Sequence, residues 1–168
     1  MKPLTAGDKA PEEVNVIIEI PQGGSTKFEI DKESGVMMVD RFVPVPMFFP
    51  FNYGFIPGTH SDDGDATDVA LISSYPVPTG CGIRARVIGM LEMEDEAGVD
   101  TKIIAVPAKK VDFGYAHIET IDDLSPHIKN QIKHFFDHYK DLEEGKWVKT
   151  GRFLGKKEAL EVVTESMK

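Results

Sequence analysis

The sequence predicts an α+β fold, with a β-barrel core in the first two thirds of the chain and flanking helices at its C-terminal end. Three observations lead to it. Apolar residues alternate with period two near the start and recur in short runs punctuated by Gly and Pro as far as residue 107. From Leu124 onward the period becomes that of a helix. No repeat, low-complexity tract or linker divides the chain, and 168 residues suit one domain, 1–168, with 1–13 as an N-terminal arm. A chain of this length buries roughly 70% of the surface its unfolded form exposes, so it needs no disulfide or zinc staple.

Each element has its own signal. Residues 14–20 put Val14, Val16, Ile18 and Ile20 on one face and Asn15, Ile17 and Glu19 on the other, and Pro-Gln-Gly-Gly then turns the chain. The next run sets Lys27 and Glu29 opposite Phe28 and Ile30. A turn at 31–35 leads into a strand over 36–43, in which Arg41 shares a face with Met37 and Val39. Further strands are expected at 69–73, 83–92 and 101–107, as in a small antiparallel barrel or sandwich. The uncharged stretch 42–61 has the length of a membrane span, but Pro44, Pro46, Pro50 and Pro57 spoil a lipid-exposed helix and make it an irregular wall segment. Leu124, Ile128, Ile132, Phe135, Phe136 and Tyr139 recur at helical spacing behind a Ser125-Pro126 N-cap. A second helix is expected over 156–166, with Ala159, Leu160 and Val163 as its apolar face.

Nineteen basic residues against 28 acidic give a net charge of −9. That balance argues against a general nucleic-acid binder, whose affinity rests on Lys and Arg, while leaving room for a small anion at a local basic group. Cys81 is the single cysteine, so no intrachain disulfide is available. The first thirteen residues are polar and carry Pro3 and Pro11, without the apolar core of a signal peptide. A cytoplasmic protein without a membrane partner is expected.

The chemistry lies in two acidic clusters, Asp63-Gly64-Asp65-Ala66-Thr67-Asp68 and Asp95-Glu96-Ala97-Gly98-Val99-Asp100-Thr101-Lys102. Oxygen-only ligands suit Mg2+, Mn2+ or Ca2+, and such a metal points to phosphate chemistry. Asp63 and Asp65 fall on one side of an extended segment, and Asp68 opens a strand, with Gly64 permitting a tight turn. An EF-hand is excluded, because the positions that need Gly and Glu hold Asp68 and Ser74. Asp100 and Lys102 share a strand face, so a metal and the anion bound to it can share one floor. Glu19, Lys27, Glu29 and Arg41 occupy strand positions that can point to one side, and their mixed signs fit an anion-metal site better than a wetted surface.

Taken in order, Glu19-Ile20-Pro21, Lys27-Phe28-Glu29-Ile30-Asp31-Lys32, Asp40-Arg41, Asn52-Tyr53-Gly54, the two clusters and His138-Tyr139-Lys140-Asp141-Leu142-Glu143 resemble a family I soluble inorganic pyrophosphatase of the bacterial type, over about residues 14–148. The resemblance implies a five-stranded OB-type β-barrel with flanking C-terminal helices, hydrolysis of pyrophosphate to two orthophosphates, and dependence on several Mg2+ per subunit, with Mn2+ or Zn2+ as substitutes. It also implies a homohexamer with the first helix at subunit contacts, where protonation of His127, His134 and His138 would weaken assembly below about pH 6.5. Carried over by position, Asp63, Asp68 and Asp100 hold one tight Mg2+, and Asp68 also faces a second. Asp95 and Asp100 help hold an ion that arrives with substrate, and Glu19 lies near a further one. Asp65 is the general base. Lys27, Arg41, Lys102, Tyr139 and Lys140 grip the phosphoryl groups, Tyr53 adds a hydroxyl, and Glu29 orients Lys27 or Arg41.

Two departures from the family pattern stand out: Ala66 where proline is usual, and Phe49 where many relatives carry tyrosine. The histidine stripe offers an i, i+4 pair for zinc without a third ligand nearby. The rival readings are an OB-type binder of single-stranded nucleic acid, which needs a basic aromatic groove, and a metal-binding protein without turnover.

Overall fold

The computed structural model describes residues 3–31, 33–61 and 64–168. Its elements are β1 (Glu13–Ile20), β2 (Thr26–Ile30), β3 (Met37–Phe42), β4 (Asn52–Phe55), β5 (Asp68–Leu71), β6 (Gly82–Asp95), β7 (Gly98–Val99), β8 (Lys102–Pro107), α1 (Pro126–His138), β9 (Val148–Leu154) and α2 (Lys156–Ser166), with short 3-10 turns at Phe113–Tyr115 and Ile121–Asp123. Strands β1, β4, β5, β8 and β6 pair in that order, and β6 pairs back to β1, so five strands form a closed ring. β7 and β9 pair with β6, and β2–β3 form a separate hairpin.

One pairing corrects the expected antiparallel arrangement: β5 and β8 run parallel, with Val69 opposite Ile103. Two reversals, into and out of the long β6, bring the chain back in its earlier direction, and β8 then fills the place beside β5. The consequence for the site is direct, because Asp68 and Lys102 open adjacent strands at the same level.

Both faces of the ring are covered. All six residues of β8 are buried, Ile103 and Ala105 packing with Val14, Val16 and Ile18, while Ile104 and Val106 pack with Phe51, Phe135 and Phe136. β1 buries Val14, Val16, Ile18 and Ile20 in alternation as expected, but not all on one face. Its register against β4 slips between Ile18, opposite Gly54, and Ile20, opposite Tyr53, which leaves Glu19 as the extra residue of a bulge. Ile18 therefore joins one apolar cluster and Ile20 the other. Gly54 permits the close approach of β1 there, since a Cβ would lie 2.0 Å from the Ile17 carbonyl oxygen. A second slip, between Lys27 and Phe28 on β2, makes Asp40 the extra residue of β3, so Arg41 does not continue the alternation of Met37 and Val39.

The helices follow their signals. The Ser125 hydroxyl accepts from the Ile128 N–H at 3.3 Å, Pro126 fills the first turn, and Ile132, Phe135 and Phe136 are buried. α2 buries Ala159 and Val163 in the other cluster, with Leu160 packed beside them. Strands β4 and β9 lie in stretches expected to be irregular or helical. Both are held by tertiary pairing, and Gly54 and Gly151 interrupt their local patterns. Among the described residues no helix is long and apolar enough to cross a membrane.

Candidate active site

The start of β5, the start of β8, the β6–β7 turn and the C-terminal end of α1 meet around one cavity of about 270 Å³. Asp65, Asp68, Asp95 and Asp100 line it together with Lys27, Arg41, Lys102 and Lys140, and the Tyr53 and Tyr139 rings close its apolar side. Glu19 and Glu29 line an adjoining hollow that shares Lys27, Tyr53, Asp65 and Asp68 with the first. Asp63, the first residue of the acidic cluster, lies outside the described residues.

Lys102 is the inner pivot. Its ammonium donates to Asp68 Oδ2 at 2.5 Å and to Asp100 Oδ1 at 2.6 Å, and the side chain is 3% exposed. Burial alone would favour the neutral amine, but Asp68 and Asp100 hold the group well above the usual lysine range, so it remains charged. Asp100 is pushed up by burial against the pull of Lys102. Glu19 is pushed up to about 7, first by burial and then by Asp68, Glu29 and Asp65, with Lys27 opposing. At Glu19 the neighbouring carboxylates outweigh Lys27.

The β6–β7 turn presents Asp95. Its Oδ1 accepts from the Ala97 N–H at 2.8 Å, a local bond that shapes the turn, and its Oδ2 accepts from Lys140 Nζ at 2.8 Å. Although burial acts the other way, Lys140 and the Ala97 N–H hold Asp95 below the usual carboxylate range. Glu96 turns outward to Lys146 Nζ at 2.6 Å. The hairpin supplies the outer cations. Lys27 lies 2.6 Å from Glu29 and 3.4 Å from Asp40, while Arg41 reaches Asp40 at 2.8 Å and Glu143 at 2.6 Å.

The two phenols arrive from the core. Tyr139 is the C-cap of α1 and stacks on Phe135 at 5.3 Å, and Tyr53 packs against Phe49 at 5.6 Å. Burial, above all, raises both hydroxyls beyond the usual tyrosine range, so they stay protonated and can donate. Phe49, the departure from tyrosine, is buried and its ring lies 4.4 Å from that of Phe135, giving the cavity an apolar wall.

The donors available to a cation are all oxygens, which fits a hard divalent ion. Among the described residues no three His, Cys, Asp or Glu groups converge on a single point. Asp68 and Asp100 turn to Lys102, and the His134–His138 pair, with ring centroids 4.6 Å apart, gains no third ligand for zinc. A wider cleft of about 700 Å³ lies between the N-terminal arm and β6. Its Arg86 is bound to the carbonyls of Ile118 and Tyr115, and it contains none of the acidic cluster residues. Asp40, Glu96 and Glu143 received no role from the sequence. The signal for two of them was present, in the Asp40-Arg41 adjacency and in the position of Glu143 one turn after Lys140.

Comparison with known proteins identifies the family. The family model described as inorganic pyrophosphatase matches residues 16–168. The inorganic pyrophosphatase of Aquifex pyrophilus is 52% identical over 166 residues, covering 99% of this chain and 94% of the relative. That of Rickettsia felis is 51% identical over 157 residues, or 93% of this chain and 91% of the relative. The crystal structure of inorganic pyrophosphatase from Thermus thermophilus has a TM-score of 0.95 at 44% identity, covering 99% of this chain and 95% of that one. Since the matched segment runs from within β1 to the last residue and takes in both acidic clusters, both phenols and α2, the chain belongs to the inorganic pyrophosphatase family.

Proposed function

We propose that this protein hydrolyses inorganic pyrophosphate to two orthophosphates in a Mg2+-dependent reaction, with a metal-activated water as nucleophile and Asp65 as general base. Membership of the family supports an enzyme of this activity. The observation that carries the reading is the cavity in which Asp65, Asp68 and Asp100 face Lys27, Arg41, Lys102 and Lys140. Such a mixture suits an anion bound together with cations, and the Asp68, Glu29 and Asp65 carboxylates, which add to burial in raising Glu19, leave room for further positive charge. The ring of five strands is read as an OB-type barrel, with the helices flanking it.

Mg2+, when bound, supplies positive charge that screens the phosphoanhydride and acidifies water. Asp63, Asp68 and Asp100 would hold it, and Asp95 and Glu19 would serve further ions; Mn2+ or Zn2+ would be substitutes. Asp65 takes the proton of the attacking water. Lys27 and Arg41, on the exposed hairpin, follow the leaving phosphate as its charge grows, and Glu29 orients Lys27. Lys102, Lys140 and the hydroxyls of Tyr53 and Tyr139 hold the phosphoryl group that is attacked. The working form is read as a cytoplasmic homohexamer, with neither nucleic acid nor membrane as partner, in keeping with the net charge of −9.

The test is orthophosphate release from pyrophosphate with Mg2+, with and without excess EDTA, for wild type and Asp65→Asn. Chelator-sensitive release that falls about a hundredfold or more in Asp65→Asn is expected. No release by the folded wild type with Mg2+ or Mn2+ would sink the reading.

A further inference from the structure

Between β4 and β5 the chain makes a long excursion that carries Asp65 and returns at Asp68. The regular ladder ends at Phe55 opposite Asp68, and one more backbone bond follows, Ile56 N–H to the Thr67 carbonyl at 3.0 Å. Beyond that point a buried hydroxyl continues the pairing. Thr59 Oγ1 donates to the Ile56 carbonyl at 2.6 Å and accepts from the Thr67 N–H at 2.9 Å, and Thr59 and Thr67 are each 2% exposed.

The neighbouring described residues are tied to this closure. The Ser61 N–H donates to the Asp65 carbonyl at 2.7 Å, the Ser61 and Thr67 hydroxyls lie 3.4 Å apart, and the His60 N–H donates to the Ser166 carbonyl of α2 at 2.7 Å. Thr67 is the residue between Ala66 and Asp68, so the bond to its N–H fixes the backbone from which both Asp65 and Asp68 project. A buried hydroxyl that both donates and accepts cannot be replaced by a methyl group without orphaning the Thr67 N–H, since water has no access there.

We propose that Thr59 is a positioning residue that sets the spacing of Asp65 and Asp68 by closing the neck of this segment. It lines neither the cavity nor the adjoining hollow. Because the two carboxylates would serve different ends, one toward water and one toward a cation, their relative placement governs metal affinity as well as rate. The inference rests on the metal-dependent pyrophosphatase reading given above.

The test compares wild type, Thr59→Val and Thr59→Ser at a temperature well below the melting point of all three. Mn2+ binding without substrate is read by electron paramagnetic resonance, and hydrogen exchange is read at the Thr67 amide. Thr59→Val is expected to weaken Mn2+ binding about tenfold and to remove protection at Thr67, with Thr59→Ser restoring both; kcat with pyrophosphate should follow the same order. Unchanged Mn2+ affinity in folded Thr59→Val, or failure of Thr59→Ser to recover it, would overturn the proposal even if the wild type hydrolyses pyrophosphate. Wild type that binds Mn2+ but releases no orthophosphate would overturn the catalytic reading, and the Mn2+ series would still decide the role of Thr59.

Discussion

The inner and outer halves of the cavity use the same residue types under different physical conditions. On the inner side, Lys102 is 3% exposed and held between two carboxylates at 2.5 and 2.6 Å. On the outer side, Arg41 is 45% exposed, and its partners Asp40 and Glu143 lie at 2.8 and 2.6 Å, distances nearly as short. Distance alone would rank these ion pairs together. Burial of the cation separates them, since the carboxylates on the two sides are similarly exposed, 30% and 25% for Asp68 and Asp100 against 30% and 17% for Asp40 and Glu143. Water and salt screen the exposed Arg41, whose pairs contribute roughly 0–1 kcal/mol each. Removing one partner of a buried pair instead leaves an uncompensated charge, at a cost of about 3–5 kcal/mol. The inner cation is thus already desolvated before substrate arrives, whereas the outer one stays in contact with water.

The largest break in this contrast is Lys102→Met. It leaves Asp68 and Asp100 facing each other without their shared cation, and kcat for pyrophosphate is expected to fall by about 10²–10³. Steady-state assays over a range of Mg2+ should show that excess metal does not recover the loss. Arg41→Lys, in the outer half, keeps the charge but not the fork that reaches Asp40 and Glu143 together. About a tenfold loss in kcat/KM is expected, with thermal stability unchanged.

Glu19 sharpens the comparison from the opposite sign. Its carboxyl is raised to about 7 in the folded protein, against an ordinary value of 4.5, so the folded state holds the proton more tightly than the unfolded one. Stability of the metal-free protein from this group is fully present below about pH 4.5 and is lost as pH rises to about 7. In EDTA at pH 8, Glu19→Gln is therefore expected to raise Tm, by roughly 2–4 °C. The gain should vanish at pH 4.5. A calorimetric series across that range checks both ends.

Much of the frame could be read directly from residues. The period-two run of β1, the Ser125-Pro126 cap of α1 and the apolar face of α2 are local signals, and the corresponding elements begin and end within one or two residues of expectation. β4 and β9 were not legible, since Asn52-Tyr53-Gly54-Phe55 is too short, and Gly151 too disruptive, to mark a strand without its neighbours. The bulges at Glu19 and Asp40 were hidden for the same reason. Only pairing with β4 and β2 shows that Glu19 and Asp40 are the extra residues, and both bulges lie beside charged groups of the site.

At the site, the carboxylates announced themselves by spacing, as did the Asp100–Lys102 pair. The third member of that inner group did not, because Asp68 meets Lys102 across 34 positions through the parallel register of β5 and β8. Glu143 meets Arg41 across 102 positions for a similar reason. The aspartates of the two clusters are thus visible in the sequence, whereas the roles of Asp40, Glu96 and Glu143, and which charges neutralise one another, emerge only from the fold.

The most direct test of that division is equilibrium unfolding in urea of wild type, Lys102→Met and Arg41→Met, each metal-free at one pH and salt concentration. The account predicts a loss of about 3–5 kcal/mol for Lys102→Met and less than about 1 kcal/mol for Arg41→Met. Equal losses in the two variants would contradict it, since the inner pair would then be no more desolvated than the outer one.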